Sequence, residues 1–316
     1  MAEREEETRL RQYFAAVRKV RRYAKRIVRD RLNRELQEAE KSAFLFIKKR
    51  IGLTFPPCRW YSFIDNIFMG IFMNTVEEKL KRAQKLITKN ISTEEMLELL
   101  KIIGVEMTAD EIESYRLWGD YMPLGDEHPY TKSERYLHIL WELIDKVPLG
   151  INCTFAIPFR QTIAKNLFKK CGEGFVAAEG CRFNYGHQIE VGDNVSWNMG
   201  CYVDSKGGVS FGDFAMLTEY VKIFSHGHSE GNHMERDYRR VVIKDFAKLY
   251  TNCTILPGIT IGTGAIVATG SIVTKDVDDY VLVSGIPARP MRRRALESTN
   301  PDDYNQYMMK NKLFQK

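Results

Sequence analysis

Between Ala177 and about Val277 the apolar positions of the chain recur every six residues. One column reads Ile243, Leu249, Ile255, Ile261, Val267 and Val273, and a second, four residues on, reads Ala247, Cys253, Ile259, Ala265, Ser271 and Val277. Helices and sheets repeat at about 3.6 and 2 residues, so neither generates this beat. A hexapeptide period predicts a parallel β-helix, in which each repeat supplies one short strand and its corner, and three strands close a triangular coil. The large aliphatic side chain faces into the prism, and the small one fills a tight position near a corner. Upstream the columns continue through Val191, Trp197 and Val203, then Phe211, Leu217 and Ile223, with eight-residue spacings from Phe183 to Val191 and from Val203 to Phe211. After Ile223 the column resumes only at Ile243, so the polar segment from about Ser229 to Arg240 is an excursion from the coil.

Before the coil the period changes to that of helices. Leu10, Tyr13, Val17, Val20, Ala24 and Ile27 step by three and four, an apolar stripe on a segment otherwise rich in Arg and Lys. Ser92-Thr93-Glu94-Glu95 opens an amphipathic helix to about Ile103, and Thr131 with Glu134 has the spacing of a capping box before a helix ending near Lys146, where Pro148 stops it. Residues 157–170 read as a lead-in helix that covers the first coil. The run Trp60 to Met73 is aromatic and apolar but broken by Asp65 and Asn66, too short to span a bilayer, and reads as core. The expected class is α+β: a basic amphipathic segment 1–50, a mostly helical region 51–170, a β-helix 171–290 and a tail 291–316.

Charge is unevenly placed. Residues 1–50 hold sixteen Lys and Arg against eight Asp and Glu, whereas the rest of the 316-residue chain is slightly acidic. The basic stripe suits a solvated charged helix packed on its neighbour, a helix seam in an oligomer, or contact with an anionic membrane surface. No recognition motif accompanies it, so nucleic acid is not an expected partner. No run approaches the roughly twenty apolar residues of a spanning helix, and charges stand where a secretory core would lie. The expectation is a cytoplasmic protein, with peripheral contact at the inner membrane surface as one of the alternatives open to the basic segment. Six cysteines without a CxxC pair read as reduced thiols, and no metal site is expected.

Polar residues that break the apolar pattern are where chemistry is expected. His226 and His228, in FSHGHSEG, stand where the chain leaves the coil. The segment ILPGITIGTGAIVATGSIVTKDVDDYVLVSGIPARPMR (255–292) resembles the C-terminal signature of the hexapeptide-repeat O-acetyltransferases, the class that includes the maltose and galactoside acetyltransferases, and the similarity runs back to about residue 171. It implies a left-handed β-helix, a homotrimer with its sites between subunits, acetyl-CoA as donor and a saccharide acceptor. Carried over residue by residue, the family's catalytic histidine falls on His228 and its active-site asparagine on Asn198. The family's supporting aspartate falls on Lys206, which leaves the orienting group open between Asp204, Glu230 and a backbone carbonyl. The resemblance also implies coenzyme contacts from Thr251 and Thr269, mainly through backbone, and from Thr274, Lys275, Arg289 and Arg292 to the pantetheine and phosphates.

Those residue types suit the reaction. A neutral imidazole can take the proton of a sugar hydroxyl as it attacks a thioester, an acceptor on the other ring nitrogen would fix the tautomer, and an amide can hold the hydroxyl or the developing oxyanion. No Ser or Cys stands where a covalent acyl-enzyme would form, so direct transfer in a ternary complex is expected. Competing readings are a γ-type carbonic anhydrase, which needs three converging histidines; a serine acetyltransferase, whose DHATG-like segment is absent; and a non-catalytic trimeric scaffold.

Overall fold

A computed structural model describes residues 75–121, 128–232 and 234–294. The chain divides into two compact units at Thr75/Val76, and the described helices and coil lie in the second. The basic stripe of residues 1–50, the Trp60–Met73 run, Cys58 and the tail beyond Arg294 lie outside the described residues.

Among the described residues six α-helices precede the coil: α1 (Val76–Leu86), α2 (Thr93–Ile103), α3 (Ala109–Ser114), α4 (Trp118–Tyr121), α5 (Lys132–Ile144) and α6 (Cys153–Leu167). Their starts follow from side chains that satisfy orphan backbone donors. Ser92 and Glu95 cap each other's backbone at α2, Thr108 and Glu111 do so at α3, and Thr131 and Glu134 at α5. Gly104, at φ 87°, ends α2 in the left-handed conformation. The α3 box is as plain in the sequence as the other two, but its apolar stripe is too short to announce a helix.

Helix α6 lies across the first coil and keeps its apolar end from water. Phe155, Phe159, Ile163 and Leu167 on α6 are buried, and Phe168 beyond it meets Phe175 and Trp197 at ring separations of 5.8 Å each. From α5, Trp141 packs on Phe183 at 5.0 Å and its indole Nε1–H donates to the Cys181 carbonyl at 2.7 Å. Buried Arg160 is matched by the Asp145 carboxylate, whose other oxygen accepts from the Gly180 N–H at 3.0 Å. The apolar contacts supply the driving force, and the ion pair prevents an uncompensated buried charge.

The coil has three parallel faces. On the first, Val191, Phe211, Ile243 and Ile261 are in register; on the second, Ala177, Trp197, Leu217, Leu249, Val267 and Val283; on the third, Phe183, Val203, Ile223, Ile255 and Val273. These are the hexapeptide columns, and all are buried. The small-residue column, including Cys181, Cys201 and Cys253, is buried beside them, and burial pushes the Cys253 thiol up to about 12. Every departure from the six-residue spacing occurs at one corner, between the third face and the first. There the chain inserts the 184–188 turn, the 205–208 turn and then the hairpin His226–His228/Arg236–Tyr238. At the far end Val281–Gly285 turns back into the antiparallel strand Ala288–Arg293.

Candidate active site

The lengthened corner gathers polar residues one coil apart. Asp204 is 1% exposed, and its Oδ1 accepts from Asn184 Nδ2 at 2.9 Å and from the Lys206 N–H at 3.2 Å. Its Oδ2 takes Lys206 Nζ at 3.2 Å and also Nδ1 of His226. Burial pushes the Asp204 carboxyl up, but the His226 hydrogen bond and the Lys206 charge outweigh it and hold the group below the usual carboxylate range. With Nδ1–H donated to Asp204, the His226 ring leaves Nε2 as its basic atom. Lys206 Nζ sits 3.4 and 3.3 Å from the two ring nitrogens.

Local sequence explains why the corner can hold this cluster. Gly207 lies so close to the hairpin base that a Cβ there would stand 2.2 Å from the Ser225 carbonyl oxygen, and Gly208 has φ 86°. Ser225 clamps both sides: its Oγ accepts from the Gly207 N–H at 2.8 Å and donates to the Asp204 carbonyl at 2.7 Å, while its carbonyl accepts from the Arg239 N–H at 2.8 Å. The SKGG sequence is thus the seat of the hairpin. His228 stands at the outer end of that hairpin, exposed, with its ring 5.2 Å from that of His226. Of the candidates for orienting His228, Asp204 is engaged by His226 instead, because it lies buried one coil over from that ring, and Glu230 is exposed.

The helical region braces the same corner. The Tyr238 ring lies 6.5 Å from His226 and packs, with Leu117, against buried Tyr130 and Tyr185. Tyr185 donates its hydroxyl to the Gly119 carbonyl at 3.1 Å, which ties α4 to the coil. Tyr130 gives its hydroxyl proton to the Asn184 carbonyl, so His138 Nδ1, 3.2 Å away, must be the donor toward it. Burial lowers His138 to about 3, so its 3.9 Å approach to Glu142 joins a neutral ring to a carboxylate, not two charges. His187 is likewise lowered by burial; it stands beside Tyr130, His128 and Glu134. Among the described residues no three His, Cys, Asp or Glu side chains converge as a metal site would require.

Asn198 belongs to a different corner, between the second and third faces. Its Nδ2 donates to Glu219 Oε1 at 2.6 Å, and Glu219 Oε2 accepts from Thr251 Oγ1 at 3.0 Å, with Thr218 Oγ1 a further 3.1 Å on. Thr269 follows one coil below Thr251 and is exposed. The sequence-predicted residues therefore divide. Asn198, Thr251 and Thr269 line one edge of the third face; Asp204, His226, His228 and, two coils on, exposed Thr274 and Lys275 line the other. Arg289 and Arg292 lie exposed on the terminal antiparallel strand. Within one chain the width of the face separates Asn198 from the histidines.

Sequence reasoning did not single out Asn184, Glu219 or the pairing of Asp204 with His226. A signal was present: Asn184 and Asp204, Ser205 and Ser225, and Lys206 and His226 are each twenty residues apart, one lengthened turn of the coil. Polar residues repeating at the turn spacing stack, just as the apolar ones do.

No family model matches the chain. It is similar to the galactoside O-acetyltransferase of Escherichia coli, 27% identical over 137 residues that cover 42% of this chain and 68% of that protein. A Dictyostelium discoideum protein assigned as an acetyltransferase is 30% identical over 143 residues, 44% of this chain and 75% of that protein. The serine acetyltransferase of Bacillus subtilis is 32% identical over 108 residues, 34% of this chain and 49% of that protein.

Proposed function

The chain belongs to the hexapeptide-repeat acetyltransferases, whose fold is the left-handed parallel β-helix, and from that premise we propose that it transfers acetyl from acetyl-CoA directly to a hydroxyl of a sugar or surface polysaccharide precursor. The observation that carries the reading is the hairpin corner, where His226, fixed by the buried Asp204, underlies an exposed His228. The acceptor oxygen attacks the thioester carbonyl carbon while His228 takes its proton; the C–S bond then breaks, and the proton passes to the departing sulfur. His226 and Asp204 act as positioning residues beneath His228. Asn198 holds the acceptor hydroxyl or the tetrahedral oxyanion. Thr251 and Thr269 contact the coenzyme largely through backbone, and Thr274, Lys275, Arg289 and Arg292 approach its pantetheine and phosphates.

Because Asn198 and His228 occupy opposite edges of one face, a working site takes one edge from each of two neighbouring chains. Cyclic closure by three then gives three equivalent sites. The basic segment 1–50 brings the enzyme to the anionic cytoplasmic leaflet, where each Lys or Arg contributes about 1 kcal/mol. Removing residues 1–50 is expected to abolish co-sedimentation with anionic vesicles at low salt; equal binding by both forms overturns that role. Incubation with acetyl-CoA and a panel of saccharides, nucleotide sugars and serine, read by mass spectrometry of the products, tests the reaction. Transfer to serine alone would favour the second reading, to which the similarity with a serine acetyltransferase points.

A further inference from the structure

The hairpin carries a fourth side chain at this corner besides the two histidines and Tyr238. In its antiparallel register His226 faces Tyr238 and His228 faces Arg236, and residues two apart on a strand share a face. Directly opposed side chains start about 5 Å apart, so the Arg236 guanidinium is within reach of whatever His228 touches.

Its charge is left over. Asp204 and Lys206 cancel in a contact pair, and the neighbouring arginines are engaged: Arg239 pairs with Asp237 at 2.7 Å and Arg240 with Glu190 at 3.1 Å. Glu235 accepts from Asn232 Nδ2 at 3.2 Å. Arg236 is half-buried, and among the described residues no carboxylate pairs with it. A partly desolvated guanidinium presents a planar donor fork whose natural complement is a carboxylate or a phosphate.

We propose that Arg236 forms an anion subsite beside His228, and that the acceptor carries a carboxylate or phosphate on the sugar residue that is acetylated or on the next one. The inference rests on the acetyl-transfer reading of this corner. It accounts for the residue types around the histidines: the buried Asp204 has its own counter-charge in Lys206, so the Arg236 guanidinium stays available to the acceptor's anion.

The test uses the full chain with coenzyme A present and measures equilibrium binding of glucuronate, glucose 6-phosphate and glucose by calorimetry, with release of the coenzyme thiol as a separate readout of transfer. At least one of the two anionic sugars binds more tightly than glucose, and which one does identifies the anion. Arg236→Gln lowers the anion-to-glucose affinity ratio by about tenfold or more, the size of a charge-assisted hydrogen bond. Arg236→Lys keeps part of the ratio, because the charge remains and the fork is lost. Arg239→Gln, whose guanidinium is already paired, leaves the ratio near that of the unaltered chain. A ratio unmoved by Arg236→Gln, or lowered equally by Arg239→Gln, overturns the subsite. Transfer to sugars that ignores Arg236 removes the subsite and leaves the acetyl-transfer reading intact; Arg236-dependent binding without transfer to any sugar does the reverse.

Discussion

At the scale of single residues, the two histidines of the hairpin divide the work by environment. His228 is exposed at the outer end, and replacing it with alanine is expected to lower kcat by roughly 10²–10⁴ while coenzyme binding persists. His226→Ala should cost less and act on alignment, and Asp204→Asn should resemble it, since the amide keeps the shape but loses the charge that selects the tautomer. Steady-state kinetics of the three variants decide the matter. A dead His226→Ala beside an active His228→Ala would transfer the base role to the inner ring. His138 gives a pH prediction. Its ordinary value is near 6.5, and the fold holds it at about 3, so below roughly pH 6.5 the unfolded chain binds a proton that the folded one refuses. Stability should therefore fall as pH drops from that point toward 3. The lowered Asp204 adds to the loss at the acid end, since what it contributes disappears as pH falls through its folded value. Melting temperature against pH, with His138→Gln flattening the upper part of the decline, is the measurement.

Among elements, the coil was legible because its signal repeats. Every column from Val191 to Val273 could be read before any coordinate, since a large side chain recurring at six residues has no other regular explanation. Two capping boxes and the lead-in helix α6 were equally plain, since each rests on local chemistry. The site was legible only in part. His228, Asn198 and Asp204 could be named, but that Asp204 would serve His226 depends on which side chains stack across an insertion, and apolar periodicity is silent there. Glu219 and Asn184 were missed for the same reason. The helix–coil contact is open to a simple test. Trp197 is wholly buried among Phe168, Phe175 and Phe211, so Trp197→Ala should destabilise the domain by about 3–5 kcal/mol, measured by denaturant unfolding.

For the whole molecule, the division of site residues between two edges makes an assembly-level prediction. If neighbouring chains share each site in a trimer, His228→Ala and Asn198→Ala are separately inactive, yet mixed trimers recover function. Random mixing places an intact edge of each kind at about a quarter of the interfaces, so about a quarter of full activity should return on unfolding and refolding the two together. Light scattering should give a trimer. A fully active monomer, or no recovery on mixing, would show that the edges act within one chain.

The far end of the coil also bears on solubility. A triangular stack of strands is an unfinished filament, since each layer is a template for the next and nothing in the repeat itself says where to stop. Here growth is blocked at both ends. Helix α6 roofs the first layer, and the strand Ala288–Arg293 returns antiparallel along the last, bringing Pro290 and three arginines to the position where another layer would dock. Proline withholds a hydrogen-bond donor and the arginines repel a like edge. The sequence thus encodes the length of the prism as well as its cross-section.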